Sequence, residues 1–109
     1  MLGALAVAAA LAGPCRNVHG RMALWNGNPA VRISVPGTRR VLGVVQPNGR
    51  FDDLPPEVRR IWTGRDVDAD WKTAIEGDFT VCPVAPARRG RMQPVRVIGA
   101  ANLSARPRP

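Results

Sequence analysis

Residues 18–35 read VHGRMALWNGNPAVRISV, the pattern of two strands joined by a tight turn. Val18, Gly20, Met22 and Leu24 share one face, and His19, Arg21, Ala23 and Trp25 share the other, which is the period-two spacing of a pleated strand. Asn26-Gly27-Asn28-Pro29 breaks the pattern, because Asn and Gly accept positive φ and Pro presets its own. Val31, Ile33 and Val35 then alternate with Arg32 and Ser34. Pro36-Gly37 turns the chain again, Val41–Val45 is a continuous apolar run, and Pro47-Asn48-Gly49 makes a further turn. Three short strands in succession predict an antiparallel meander.

Outward from that meander the pattern changes. Asp53 to Trp62 predicts a short helix, with proline in its first turn, Glu57 near its positive end and Gly64 beyond it. Residues 65–76 are polar and read as loop. Phe79–Pro83 reads as a strand, Arg88–Arg91 as a basic turn and Met92–Ile98 as the last strand. The fold class expected is all-β: a small antiparallel sandwich or barrel with one short helix. There is no strand–helix–strand alternation to suggest a parallel sheet. The domain is expected over residues 15–103, followed by a disordered tail, SARPRP, at 104–109.

The composition agrees. A chain of 109 residues holds one domain, and eleven Gly with eleven Pro argue against a helical bundle. The net charge is +8. Fifteen of the sixteen basic residues are Arg, a bias read as that of a GC-rich coding sequence rather than of selection for Arg chemistry. All eight acids fall between Asp52 and Asp78, and twelve Arg lie outside that window. The chain is therefore a basic body carrying an acidic insert, either matching charge internally or offering a basic face to an anionic partner.

Residues 1–14, MLGALAVAAALAGP, carry no charge. They are too short to span a bilayer, which takes about 20 apolar residues. They resemble a signal-peptide core with a small–x–small site at Ala10-Leu11-Ala12, so residues 1–12 are expected to be removed and the protein to be periplasmic or secreted. Pro14 directly before Cys15 argues against lipid anchoring at that cysteine. Export favours a bond between Cys15 and Cys82, with loop closure contributing about 4 kcal/mol. The competing reading is a metal site built with His19, but two Cys and one His leave zinc one ligand short. No metal and no cofactor is expected.

At Gly20, Gly27, Pro29, Val31, Ile33, Val35, Gly37 and Thr38, and again at Asn48, Gly49 and Phe51, the chain resembles the transthyretin-like and carboxypeptidase-regulatory-like β-sandwich pattern. The resemblance covers about a third of the chain and is mostly turn chemistry. The chain is also similar to small exported bacterial proteins of unassigned function. They share Cys15, Val18-His19-Gly20-Arg21, Trp25-Asn26-Gly27 and Gly77-Asp78-Phe79-x-Val81-Cys82-Pro83. That likeness implies secretion and a Cys15–Cys82 bond, and no activity. Transthyretin-like hydrolases of purine breakdown products need several His and a Tyr-Arg-Gly-Ser-like ending; this chain has one His and no Tyr.

Candidate chemistry is sparse. His19 and Arg21 share a strand face and form a candidate polar site, with His19 as base in a small hydrolase-like alternative. No Ser-His-Asp or Cys-His order accompanies them, so a structural His is the preferred reading and no catalytic residue is assigned. Asp66-Val67-Asp68-Ala69-Asp70 imitates a calcium loop but has Trp71 where Gly belongs and Gly77 where Glu belongs. Arg88, Arg89 and Arg91 form the densest basic cluster and the candidate anion-binding site. The expectation is a non-enzymatic binding or structural module whose partner is an anionic envelope component or a protein. Nucleic-acid binding is a further alternative that the export signal disfavours.

Overall fold

The computed structural model describes residues 12–108. The proposed signal segment lies, except for Ala12, outside the described residues, as does Pro109. Five strands close into one barrel: β1 (Arg16–Leu24), β2 (Val31–Ser34), β3 (Val41–Val44), β4 (Thr73–Pro83) and β5 (Gln93–Pro107). The order around the barrel is β1-β2-β3-β5-β4. Of the two expected architectures, sandwich or barrel, the chain forms the barrel.

β1, β2 and β3 are the antiparallel meander expected, with Met22 opposite Ile33 and Ile33 opposite Leu42. The turns are where the sequence puts them: Gly27 and Gly37 both adopt positive φ. The facing of β1 follows its alternation as far as Met22, with Gly20 and Met22 buried and His19 exposed; beyond it Ala23, expected on the outer face, is buried beside Leu24. Gly20 sits where the wall is tightest: a Cβ there would come within 2.9 Å of the Ser34 carbonyl oxygen and closer still to Ile33.

One pairing departs from an all-antiparallel fold. β3 and β5 run parallel, Leu42 opposite Gln93 and Val44 opposite Val95. This follows from the acidic insert, which carries the chain away from β3 before β4 begins. By strand order and direction, the result is a closed five-stranded barrel with one parallel pair.

The insert is more structured than its polarity suggests. A 3-10 turn (Phe51–Asp53) leads to α1 (Pro56–Arg59), shorter than the helix predicted over residues 53–62. Residues 65–76, expected as loop, form α2 (Val67–Lys72) and the start of β4. The correction has a local cause in the three aspartates. Asp66 caps α2 by accepting from the Ala69 N–H at 3.0 Å. Asp68 pairs with Lys72 at 2.9 Å, one helical turn on. Asp70 is buried and accepts from the Gly64 N–H at 2.9 Å. The calcium-like spelling is thus a helix cap, an exposed ion pair and a buried acceptor.

Leu54, Val58 and Trp62 from the insert join Met22, Ile33, Leu42, Phe79, Val81 and Val95 in one core. The Trp62 indole N–H donates to the Thr73 carbonyl at 2.9 Å and so ties the insert to the first residue of β4.

β5 is about twice the length expected, and its far half corrects the disordered tail predicted from residue 104. Ser104, Ala105, Arg106 and Pro107 pair with Glu76, Ile75, Ala74 and Thr73. An eleven-residue β4 supplies a ladder of backbone partners, and pairing outweighs the weak strand propensity of the tail. Register shifts at Glu76/Asp78 and Thr80/Val81 bend the β4–β5 pair, and Asn102 has φ 56° beside the first of them.

Cys15 and Cys82 are bonded, with a sequence separation of 67. The bond follows from the ladder. Arg16 stands opposite Val81 in the β1–β4 pair, so the next step out places Cys15 against Cys82.

Candidate functional site

The β4–β5 connection carries Arg88, Arg89 and Arg91, the three residues marked out by the sequence. The fold brings the β2–β3 turn beside it. Arg39 and Arg40 join them around a cavity of about 680 Å³ floored by Val41, Leu42 and Met92. Five of the lining residues are Arg and none is acidic. All five are exposed.

A buried glutamine organises one edge. Gln93, 8% exposed, accepts from Arg16 at 3.1 Å and from Arg40 at 3.3 Å, and donates to the Ala85 carbonyl at 3.2 Å. It thereby links the β2–β3 turn to the β4–β5 connection. Sequence reading missed Arg39 and Arg40 as members of this site. They lie far from Arg88 in sequence, and only the parallel β3–β5 pairing joins them. A second cavity of about 940 Å³ adjoins the first and shares Gly90, Arg91 and Met92 with it. Its other walls are the β1–β2 loop and the end of β3, at residues 27–30 and 43–46.

The candidate polar site at His19 and Arg21 lies elsewhere, on the outer face of β1, β4 and β5. His19 stands opposite Asp78 and Arg21 opposite Glu76. The imidazole Nδ1 lies 2.9 Å from Asp78, and Nε2 lies 3.7 Å from Glu76. Arg21 donates to Glu76 at 3.1 Å, and Asn102 donates to the other oxygen of Asp78 at 2.9 Å. The hydrogen bond to Asp78 raises the His19 pKa above its ordinary 6.5, against a smaller opposing effect of desolvation. The Arg21 bond lowers Glu76, and the Asn102 bond followed by the His19 bond lowers Asp78.

This is an exposed ion cluster, with the His19 side chain 58% exposed. Neither of the two cavities includes His19. Among the described residues its polar side-chain contacts are these two carboxylates, and both cysteines are bonded to each other. The arrangement can hold a proton and cross-brace β1 on β4.

The pH dependence follows from the signs. A raised His19 stabilises the fold fully below pH 6.5, and that contribution is lost as pH rises through its folded value. A lowered Asp78 contributes above pH 3.8 and is lost as pH falls through its folded value. The brace is therefore strongest between those limits. In an NMR titration, the His19 ring protons are expected to move with a midpoint above 6.5, returning toward it in D78N. An unchanged midpoint in D78N would contradict the brace.

Among the described residues, no cluster of three or more His, Cys, Asp or Glu forms a metal site, and no helix is long and apolar enough to cross a membrane. Comparison with protein-family models, with curated proteins and with solved structures finds no match to this chain.

Proposed function

We propose that the protein is an exported binding module that holds a phosphate-bearing polyanion, a component of the cell envelope, in the arginine cavity. The observation that carries this reading is the convergence of Arg39, Arg40, Arg88, Arg89 and Arg91 on one cavity with no acidic residue in its lining. Five like charges so placed repel one another until an anion neutralises them. Arginine is also the side chain best shaped to grip phosphate in a bidentate fork. The disulfide supports residence in an oxidising compartment.

A second reading, single-stranded nucleic acid, is favoured by one observation, the barrel topology. That strand order is similar to the OB fold, whose members bind oligonucleotides on the face of their second and third strands and on the flanking loops. Against it, neither cavity is lined by an aromatic side chain, and base stacking is the usual source of such affinity.

The test is binding to phosphatidylglycerol vesicles at low salt. Each cation near an anionic surface contributes about 1 kcal/mol. R88A/R89A/R91A is therefore expected to weaken binding on the order of a hundredfold. The charge-matched control R50A/R60A/R65A should lose much less. Equal losses in the two variants would mean that net charge alone drives adsorption, and stronger binding to oligothymidylate than to the vesicles would favour the second reading.

A further inference from the structure

Trp25 and Trp71 are large apolar side chains left exposed, at 44% and 36%. Trp25 follows β1, and Trp71 lies in α2. The guanidinium carbon of Arg108, just past β5, lies 4.6 Å from the Trp25 ring centroid and 4.7 Å from that of Trp71. One planar cation thus meets two indoles from separate parts of the chain. Its Nη1 donates to the Trp71 carbonyl at 3.3 Å, and its backbone N–H donates to the Lys72 carbonyl at 2.9 Å. Among the described residues no carboxylate pairs with Arg108. The indoles and main-chain carbonyls take the place of a counter-ion.

A single Arg over a single Trp is common, about one contact of this kind per 70–80 residues, and calls for no function. Two features set this one apart. Both rings serve the same guanidinium, and a second arginine couples the site to a loop. Arg32 approaches Trp25 at 5.5 Å while donating to the Pro29 carbonyl at 3.0 Å and the Asn26 carbonyl at 3.3 Å. Pro29 in turn rests on Gly43, where a Cβ would come within 2.7 Å of the proline ring. That loop walls the second cavity.

The geometry points to a planar-cation site formed by Trp25 and Trp71, with the chain's own Arg108 as its ligand, whose occupancy fixes the β1–β2 loop over the second cavity. The site is a latch. The segment that leaves β5 closes it, and displacing or removing Arg108 frees the loop.

Hydrogen exchange on the full chain tests this without any anionic ligand, so its failure leaves the arginine cavity untouched. In R108A, exchange at residues 25–30 and 67–72 should accelerate roughly tenfold, the scale of two exposed cation–π contacts, while the core strand at 41–44 keeps its protection. Guanidinium at tens of millimolar should restore protection in R108A, whereas sodium chloride should not, and neither should guanidinium in R108A/W25A. R108K, which keeps the charge but lacks the planar fork, should fall between wild type and R108A. Wild-type exchange in R108A, equal rescue by sodium chloride, or full protection in R108K would each overturn the assignment.

Discussion

Replacing both cysteines with serine, C15S/C82S, is expected to cost about 4 kcal/mol of folding stability. The estimate rests on chain entropy. The bond closes a loop with a sequence separation of 67, and removing it returns that freedom to the unfolded ensemble. A domain this small has about 5–15 kcal/mol to lose. The midpoint of thermal unfolding should fall by roughly 20 °C. The damage should also have a location. Arg16 to Gly20 pair with β4 alone, whereas Arg21 to Leu24 pair with β2, Arg21 and Met22 with both neighbours. Amides 16–20 should therefore lose hydrogen-exchange protection first and open one wall of the barrel. Uniform loss along β1, or a midpoint within a few degrees of wild type, would contradict the role given to the bond.

W62A is expected to be about as severe, at roughly 4 kcal/mol. Trp62 is 1% exposed, lies against Phe51 at 6.4 Å between ring centroids, and shares the barrel core with Phe79 and Val95. Removing it leaves a large cavity and also takes the indole N–H from the Thr73 carbonyl. W62F separates the two effects. It keeps most of the ring but not the hydrogen bond, and should cost about 1–2 kcal/mol. Chemical denaturation of both variants measures the difference. A loss below 1 kcal/mol in W62A would mean that the insert is a surface appendage and not part of the core.

The first half of the barrel was legible because its signals are local. The alternation from Val18 to Leu24 and the turn at Asn26–Pro29 depend on neighbours in sequence, and β1, β2 and their connection follow them. The second half depends on distant partners. Nothing within 65–76 announces that Thr73 to Glu76 will find a ladder in Ala74↔Arg106 and its neighbours. Nor does SARPRP show that it will be held extended by β4. The parallel β3–β5 pair is hidden for the same reason, since it is set by where the insert returns the chain. The candidate sites divide along the same line. Arg88, Arg89 and Arg91 are adjacent and were visible. Arg39 and Arg40, and the Asp78 and Glu76 that hold His19 and Arg21, enter only through strand register.

The proposed function requires an anion to settle in the arginine cavity. Amide chemical shifts during titration with inorganic pyrophosphate at low salt test it most directly. Saturable shifts are expected to concentrate at residues 39–42 and 87–93 and to be absent in R88A/R89A/R91A. Shifts scattered over every arginine-bearing surface, or centred on Arg21 and His19, would contradict it.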